Sequence, residues 1–476
     1  MSTELRNFLA IPYDELEEMN LKAKKQRLDR VAPHKVQEDR LKYLADESRI
    51  KAVTVMFSDL EGRLHMLDYD KKFLLKSYDN LTFDGSSIRG FTAQRESDLR
   101  LGIDWGAFYW GPADVFGPGK VLVFGEVIDK SGEPYTADIR SMLKLFATGL
   151  HKKHGYTLNA ANEIEGFLFQ GPEAERVYHQ TGKFEYVNTG GYYHSLPGDP
   201  LRTFIDTTAE VQRSMGFQNE KDHPEVAPSQ FEINYGYAEA VAAADHIQLY
   251  KLICRQVARN MGLTASFLPK PVVGVNGSGM HTNISVSKES KNLFWDPKGE
   301  EKLSKFGYEF LDRVLTAGND LCLVFNSSVN AYRRLDPHFE APNQLKASAV
   351  DRGAMIRIPI GNERSMRIEV RAVAPDANPY LVMYSIFKTG LEGETAKIKN
   401  LRQAERYLPD NVYTAIDNFR KADWTTKLLG EDVKGRYADL KQASADRCPR
   451  LLGTIVKPSE VQFHHEVYNQ FLWNLF

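Results

Sequence analysis

Residues 156–169 read YTLNAANEIEGFLF, a run of strand-forming residues interrupted by two glutamates, Glu163 and Glu165. In an extended chain, side chains two apart project to the same face. The pattern predicts a strand that carries two carboxylates on one face between apolar neighbours. Three other stretches repeat the arrangement. Glu232 interrupts QFEINYGY (230–237), and Glu225 stands just before it. In MHTNISVS (280–287) the period of two aligns His281, Asn283 and Ser285. In MRIEVRAV (366–373) Arg367, Glu369 and Arg371 share one face, with Met366, Ile368 and Val370 on the other.

Around these strands lie helical patterns such as DHIQLYKLICRQVARNMG (245–262) and EKLSKFGYEFLDRVLTAG (301–318), and closing helices are expected over LPDNVYTAIDNFRKA (408–422) and SEVQFHHEVYNQFLWNLF (459–476). Strands mixed with helices in this way predict an α+β domain over residues 132–476. Upstream, KAVTVMFSDL (51–60) and KVLVFGEVI (120–128) bracket Gly/Asp/Pro turns, so residues 47–131 read as a small β-rich domain. Residues 1–46 are rich in Glu, Lys, Arg and Leu and read as a solvated helical lead-in broken near Pro33. There is no internal repeat and no low-complexity tract.

The chain has 61 Lys+Arg against 63 Asp+Glu, a formal net charge of −2, so no electrostatic footprint for nucleic acid or an anionic membrane is expected. No stretch approaches the roughly 18 apolar residues of a membrane helix. The start carries Glu4, Asp14 and Glu15 and lacks the basic-then-apolar order of a secretory signal, so the expected address is the cytoplasm. Cys254, Cys322 and Cys448 are scattered and odd in number, which fits buried reduced thiols.

Two carboxylates about 4 Å apart repel by roughly 4 kcal/mol at an effective dielectric near 20. Converging glutamates therefore need protons or cations to coexist. A single such pair commonly faces solvent; recurrence on several strands argues for a shared centre. Oxygen ligands with at most one imidazole suit Mg²⁺ or Mn²⁺ better than zinc. The arginines Arg334, Arg352, Arg357, Arg364, Arg367 and Arg371 form a second group, suited to carboxylate and phosphate oxygens. No G-x-x-x-x-G-K-[ST] loop and no G-x-S-x-G occur, which excludes a P-loop enzyme and disfavours a serine nucleophile. The residues alone describe a metal-dependent enzyme acting on phosphate and carboxylate groups.

An ordered series of motifs goes further: FDGSSIRGF (83–91) then ESD (96–98), NEIEGFLF (162–169), GGY (190–192), EVAPSQFE (225–232), KPVVGVNGSGMHTNIS (270–285), NSSVNAYRRLDPHFEAP (326–342), IRIP (356–359) and RIEVRAVAPDANPY (367–380). Over roughly residues 50 to 475 the chain resembles a type I glutamine synthetase. The resemblance implies a small β-grasp N-terminal domain plus a catalytic domain with an antiparallel sheet flanked by helices. It implies two or more divalent cations per site, Mg²⁺ or Mn²⁺, with ATP as co-substrate. Glu165, Glu225 and Glu232 would hold the cation facing glutamate, and Glu163, His281 and Glu369 the one facing the nucleotide phosphates. Glu165, His281, Arg334, Arg371 and Glu340, with backbone at Asn276 and Gly277, would meet glutamate. Glu220, Ser285, Arg357, Arg364 and Arg367 would meet ATP, and Arg352 the transferring phosphoryl group. Asp84, Ser87, Tyr192 and Glu225 match the ammonium pocket, with Asp84 as the base and Glu340 as the acidic flap residue. The implied assembly is a dodecamer of two hexameric rings with active sites between subunits.

The chain departs from the family pattern at several points. Asn283 stands where many members have histidine, and Asn326-Ser-Ser replaces Asn-Pro-Thr. LRLGIDWGAFYWGPADVFGPG (99–119) keeps Asp104 but is otherwise unusual, rich in aromatics and glycine. The tyrosine motif that some relatives adenylylate is missing from IKNLRQAERYLPDN (398–411), and Ala93 replaces an arginine of some feedback-inhibited members. Two alternatives stand beside ammonium ligation: a γ-glutamyl amide ligase using a larger amine, and a non-catalytic relative. A guanidino kinase of related fold is disfavoured by the FDGSS and ammonium-pocket match.

Overall fold

The structure is a computed structural model that describes residues 2–93, 97–194, 196–335, 341–395 and 405–451. The closing helix expected over 459–476 lies outside these residues.

The chain starts with helices α1 (Thr3–Phe8), α2 (Tyr13–Leu28) and α3 (Pro33–Asp46). Pro33 occupies the first turn of α3, where a missing N–H costs nothing, so it starts a helix. The segment is less solvated than its composition predicts. Helix α2 buries Leu16, Asn20 and Ala23. Asn20 Nδ2 lies 2.9, 2.8 and 2.9 Å from the carbonyl oxygens of Leu16, Trp110 and Ser214, while its Oδ1 accepts from the Trp110 N–H at 3.1 Å. One buried amide thus joins three separate parts of the chain.

The first sheet contains β1 (Ala52–Ser58), β2 (Leu64–Asp70), β3 (Leu81–Asp84), β4 (Asp98–Tyr109) and β5 (Lys120–Ile128), in the order β2-β1-β5-β4-β3. Among the described residues of this sheet, only β1 and β5 pair in parallel. The unusual aromatic stretch becomes β4 and its exit, with Phe108, Tyr109 and Trp110 buried. Trp110 meets Tyr43 edge-on and lies under the Arg40 guanidinium, so α3 covers this part of the sheet.

The second sheet is built from β6 (Tyr156–Gln170), β7 (Asn219–Pro224), β8 (Gln230–Tyr235), β9 (Ala238–Glu239), β10 (Leu263–Ser266), β11 (Met280–Lys288), β12 (Lys291–Asn292), β13 (Gln344–Ser348), β14 (Ala354–Arg357) and β15 (Ile368–Val370). Its main path runs β13-β14-β15-β11-β6-β8-β7, with β9 and β10 on β6 and β12 on β11. Pairing is antiparallel except between β13 and β14. Along β6 the residues Leu158, Ala160, Asn162 and Ile164 are buried, while Asn159, Ala161, Glu163 and Glu165 are less so. The helix Ala240–Asn260 packs behind this strand, and its Tyr250 hydroxyl donates to the Ile164 carbonyl at 3.1 Å. A slip of one residue would bury the glutamates and expose Leu158 and Ile164, each worth about 1.5–3 kcal/mol of burial. Core packing therefore fixes which way the glutamates point.

The two sheets are tied together by polar contacts. Buried Arg140 donates from Nε and Nη2 to Asp245 at 2.8 and 2.7 Å, and from Nη2 to Asp104 of β4 at 3.0 Å. The retained Asp104 thus anchors the first sheet to the second domain. Gly62 (φ +90°) packs so closely on the helix Pro379–Glu392 that a Cβ there would lie 2.5 Å from Asn378 Cα. Asn378 caps that helix and donates to the Leu60 carbonyl at 3.1 Å. Cys254 and Cys322 are buried free thiols, as expected; the Cys448 side chain lies outside the description. Among the described residues no helix is long and apolar enough to cross a membrane.

Candidate active site

One face of the second sheet gathers charged side chains through strand register. Antiparallel pairing sets Glu165 opposite Glu232, His223 opposite Glu232, and His281 opposite Glu163. It also sets Glu369 opposite both Asn283 and Arg357. Directly paired residues have Cβ atoms about 4.5–5.5 Å apart on one face. Strands distant in sequence thereby bring carboxylates, imidazoles and guanidiniums into contact.

Glu163, His281 and Glu369 form one group, each offering a ligand atom within 4.8 Å of the others. His281 Nδ1 is 3.6 Å from both Glu163 and Glu369. Burial would raise the Glu163 pKa, but the adjoining His281 imidazole, with Asn283 and Arg367, brings it down to about 2. Asn283 donates to Glu163 at 3.1 Å and accepts from Arg367 Nε at 2.8 Å, so the amide links the carboxylate to the guanidinium. Glu369 is fully buried and accepts from Arg357 Nε at 2.6 Å and from Arg371 Nη1 at 2.7 Å.

His223, Glu225 and Glu232 form a second group by the same 4.8 Å measure. Burial and the nearby charge of Glu232 push Glu225 up to about 7. Burial together with Glu225 and Glu232 raises Glu165 well above the usual carboxylate range. Glu165 accepts from the Gly279 N–H at 2.8 Å. The sequence grouped Glu165, Glu225 and Glu232; the structure groups Glu225 and Glu232 with His223, which sequence reading missed, and sets Glu165 beside them, across from Glu232. Its stretch lacks the apolar alternation that would mark a strand, and the pairing of β7 with β8 is what brings His223 to Glu232.

Arg334 is buried beside these groups, its Nη2 donating to the Arg371 carbonyl at 3.0 Å and Nη1 to the Val373 carbonyl at 3.3 Å. Burial lowers its pKa to about 10, with Glu165 opposing that shift. A Cβ at Gly279 would come within 2.6 Å of Arg334 Nη2 and 2.8 Å of His281 Nε2. Any larger residue there would push the Arg334 and His281 side-chain ends aside. Gly277 likewise packs on Arg334, with half-buried Asn276 before it.

The expected nucleotide residues are less concentrated. Ser285 is buried on the same face of β11 as Asn283, and Glu220 is exposed on β7. Arg352 and Arg364 are exposed in the turns on either side of β14. Tyr237, 39% exposed and unmarked by the sequence reading, lies within electrostatic range of Arg367 and Glu220.

Tyr192 is 45% exposed, donates to the Tyr193 hydroxyl at 2.8 Å and stands edge-on to His223 at 5.4 Å. Asp84 is exposed at the end of β3. It accepts from the Ser86 N–H at 2.9 Å and from the Ser86 and Ser87 hydroxyls at 2.7 and 2.6 Å, bonds that lower its pKa. Among the described residues no hydrogen bond or ion pair joins Asp84 or Ser87 to Tyr192 or Glu225 within the chain. Glu340 lies outside the described residues.

Residues 136–455 match the family described as glutamine synthetase, catalytic domain, and residues 49–130 match glutamine synthetase, beta-grasp domain. The chain belongs to the glutamine synthetase family. Its fold is that of the family, an α+β chain with a β-grasp domain before a catalytic domain whose sheet is mainly antiparallel. A glutamine synthetase of Clostridium saccharobutylicum is 35% identical over 424 residues, covering 85% of this chain and 94% of the relative. A glutamine synthetase of Staphylococcus aureus strain MRSA252 is 35% identical over 432 residues, covering 86% and 94%. Both side-chain groups above fall within the catalytic match. Each combines carboxylates with one imidazole, a donor set that fits Mg²⁺ or Mn²⁺.

Proposed function

We propose that the protein ligates ammonium to the side-chain carboxylate of L-glutamate at the expense of ATP, through a γ-glutamyl phosphate, giving L-glutamine, ADP and phosphate. Residues 47–131 serve as the β-grasp unit and 132–476 as the catalytic unit of a cytoplasmic dodecamer. The observation that carries this reading is the pairing across β6: Glu163 belongs to one carboxylate–imidazole group and Glu165 adjoins the other, with buried arginines beside both.

Divalent cations held by Glu163, His281 and Glu369 and by Glu165, Glu225 and Glu232 would neutralise phosphate oxygens and polarise the carboxylate under attack. Arg334 and Arg371 bind the substrate carboxylate, and Arg357 and Arg367 bind ATP with Glu220, Ser285 and Arg364. Arg352 steadies the phosphoryl group in flight. Asp84, supplied by a neighbouring subunit, takes a proton from ammonium in a pocket with Ser87, Tyr192 and Glu225, and ammonia attacks the acyl phosphate. Glu340 shields that intermediate from water. The exposure of Asp84 in the single chain supports an intersubunit role.

The test is phosphate release from glutamate and ATP with ammonium compared against a panel of polyamines and ethanolamine. Ammonium should give the fastest turnover. Faster turnover with any amine replaces this reading by a γ-glutamyl amide ligase, and no turnover with any acceptor points to a non-catalytic relative.

A further inference from the structure

The glutamate-side group contains an imidazole to which the family resemblance gave no role. His223 is 4% exposed on β7, opposite Glu232 in the strand register. Its Nδ1 is 3.1 Å from the Pro224 carbonyl oxygen. A carbonyl only accepts, so this contact takes a proton on Nδ1 and turns Nε2 toward Glu232. Nε2 is buried without a hydrogen-bond partner among the described residues, and it lies 3.4 Å from Glu232 Oε1. A contact of this kind is held either by a proton on Nε2 or by a cation between the two groups, and a cation that binds there displaces the proton. Adjacent ligands of a six-coordinate cation with bonds of about 2.1 Å lie about 3 Å apart, close to the separation observed.

We infer that His223 coordinates, through Nε2, the divalent cation held by Glu225 and Glu232. This rests on the metal-dependent reading above and extends it. Both cation sites then have the same makeup, two or more carboxylates and one imidazole, His281 in one and His223 in the other. Nitrogen at both sites favours Mn²⁺ over Mg²⁺, because imidazole suits the transition metal better.

Metal-free protein is loaded with two equivalents of Mn²⁺ and the bound ions are examined by pulsed electron paramagnetic resonance for directly coordinated histidine nitrogen. His281→Asn should keep a coordinated-nitrogen signal, because His223 remains, and His281→Asn/His223→Gln should lose it. In calorimetry His223→Gln should weaken one of two Mn²⁺ binding events by about tenfold or more and leave the other. Loss of all nitrogen coupling in His281→Asn alone overturns the assignment. So does a signal that survives the double substitution. The His281→Asn arm retains His223, so the test stands even if His223→Gln folds poorly. Wild-type protein that binds no Mn²⁺ overturns the metal-dependent reading and this inference together, whereas failure of the ammonium reading shows only in the amine panel.

Discussion

Glu165 on β6 stands directly across from Glu232 on β8, two carboxylates on one face with the charge of Glu225 beside them. Like charges directly opposite on a sheet oppose pairing. Glu232→Gln should raise the stability of the metal-free protein by about 0.5–1 kcal/mol. The same substitution should shrink the rise in melting temperature produced by Mn²⁺. Melts in chelator and in Mn²⁺ check both signs; a variant that is less stable in chelator yet keeps the full Mn²⁺ response removes Glu232 from the site.

Glu369 is fully buried between Arg357 and Arg371. Truncating one member of a buried ion pair leaves the others uncompensated and costs about 3–5 kcal/mol. Glu369→Ala should lose stability on that scale in urea unfolding and bind ATP-linked Mn²⁺ more weakly. Glu369→Gln, which fills the same space, should lose less stability while still weakening the metal. Unchanged metal dependence in both variants would exclude this residue as a ligand.

Asp84 accepts three hydrogen bonds from its own turn, and these favour its ionised form. In its proposed role as base toward ammonium it should contribute about 10²-fold or more to turnover. Asp84→Ala is expected to reduce glutamine formation by that factor while ATP affinity stays unchanged in calorimetry. Loss of ATP affinity would place Asp84 elsewhere.

Lys251 is buried, donates to the Pro375 carbonyl, and faces Arg255, Asp376 and the Phe267 ring. Burial and then Arg255 lower its pKa from 10.5 to about 7. The folded state therefore binds fewer protons than the unfolded chain between these values, and stability from this group rises as pH climbs through that window. Lys251→Met should stabilise the protein by about 2 kcal/mol at pH 7, after allowing for the lost carbonyl bond. The gain should fade toward pH 10. Melting temperatures of both proteins across this range test it, and a constant difference would refute it.

Sequence periodicity reached the residues that lie on strands with an apolar opposite face. Glu163, Glu165 and Glu369 alternate with Ile164, Ile368 and Val370, so the direction of each could be read locally. His223 could not be found that way. It lies in NEKDHPEV (219–226), where charged residues occupy both faces and no apolar alternation marks a strand; β7 forms because β8 pairs with it. Asn20 was hidden for a different reason. A polar residue in a charge-rich helix reads as solvated, and its buried partners Trp110 and Ser214 leave no trace near it in the chain. The proposed ammonium pocket was visible only through family likeness, since Asp84 and Tyr192 lie far apart in sequence and, among the described residues, share no hydrogen bond.

The Asn20 junction also sets an order of events during synthesis. Its partner Ser214 follows 194 residues later, a delay of about 10–40 s at ribosomal rates of roughly 5–20 residues per second. Throughout that interval Leu16 and Ala23 have no complete surface to pack against, so α2 settles only after residues far downstream have been made. Nascent chains that stop short of Ser214 should be open to proteolysis and chaperone capture at α2.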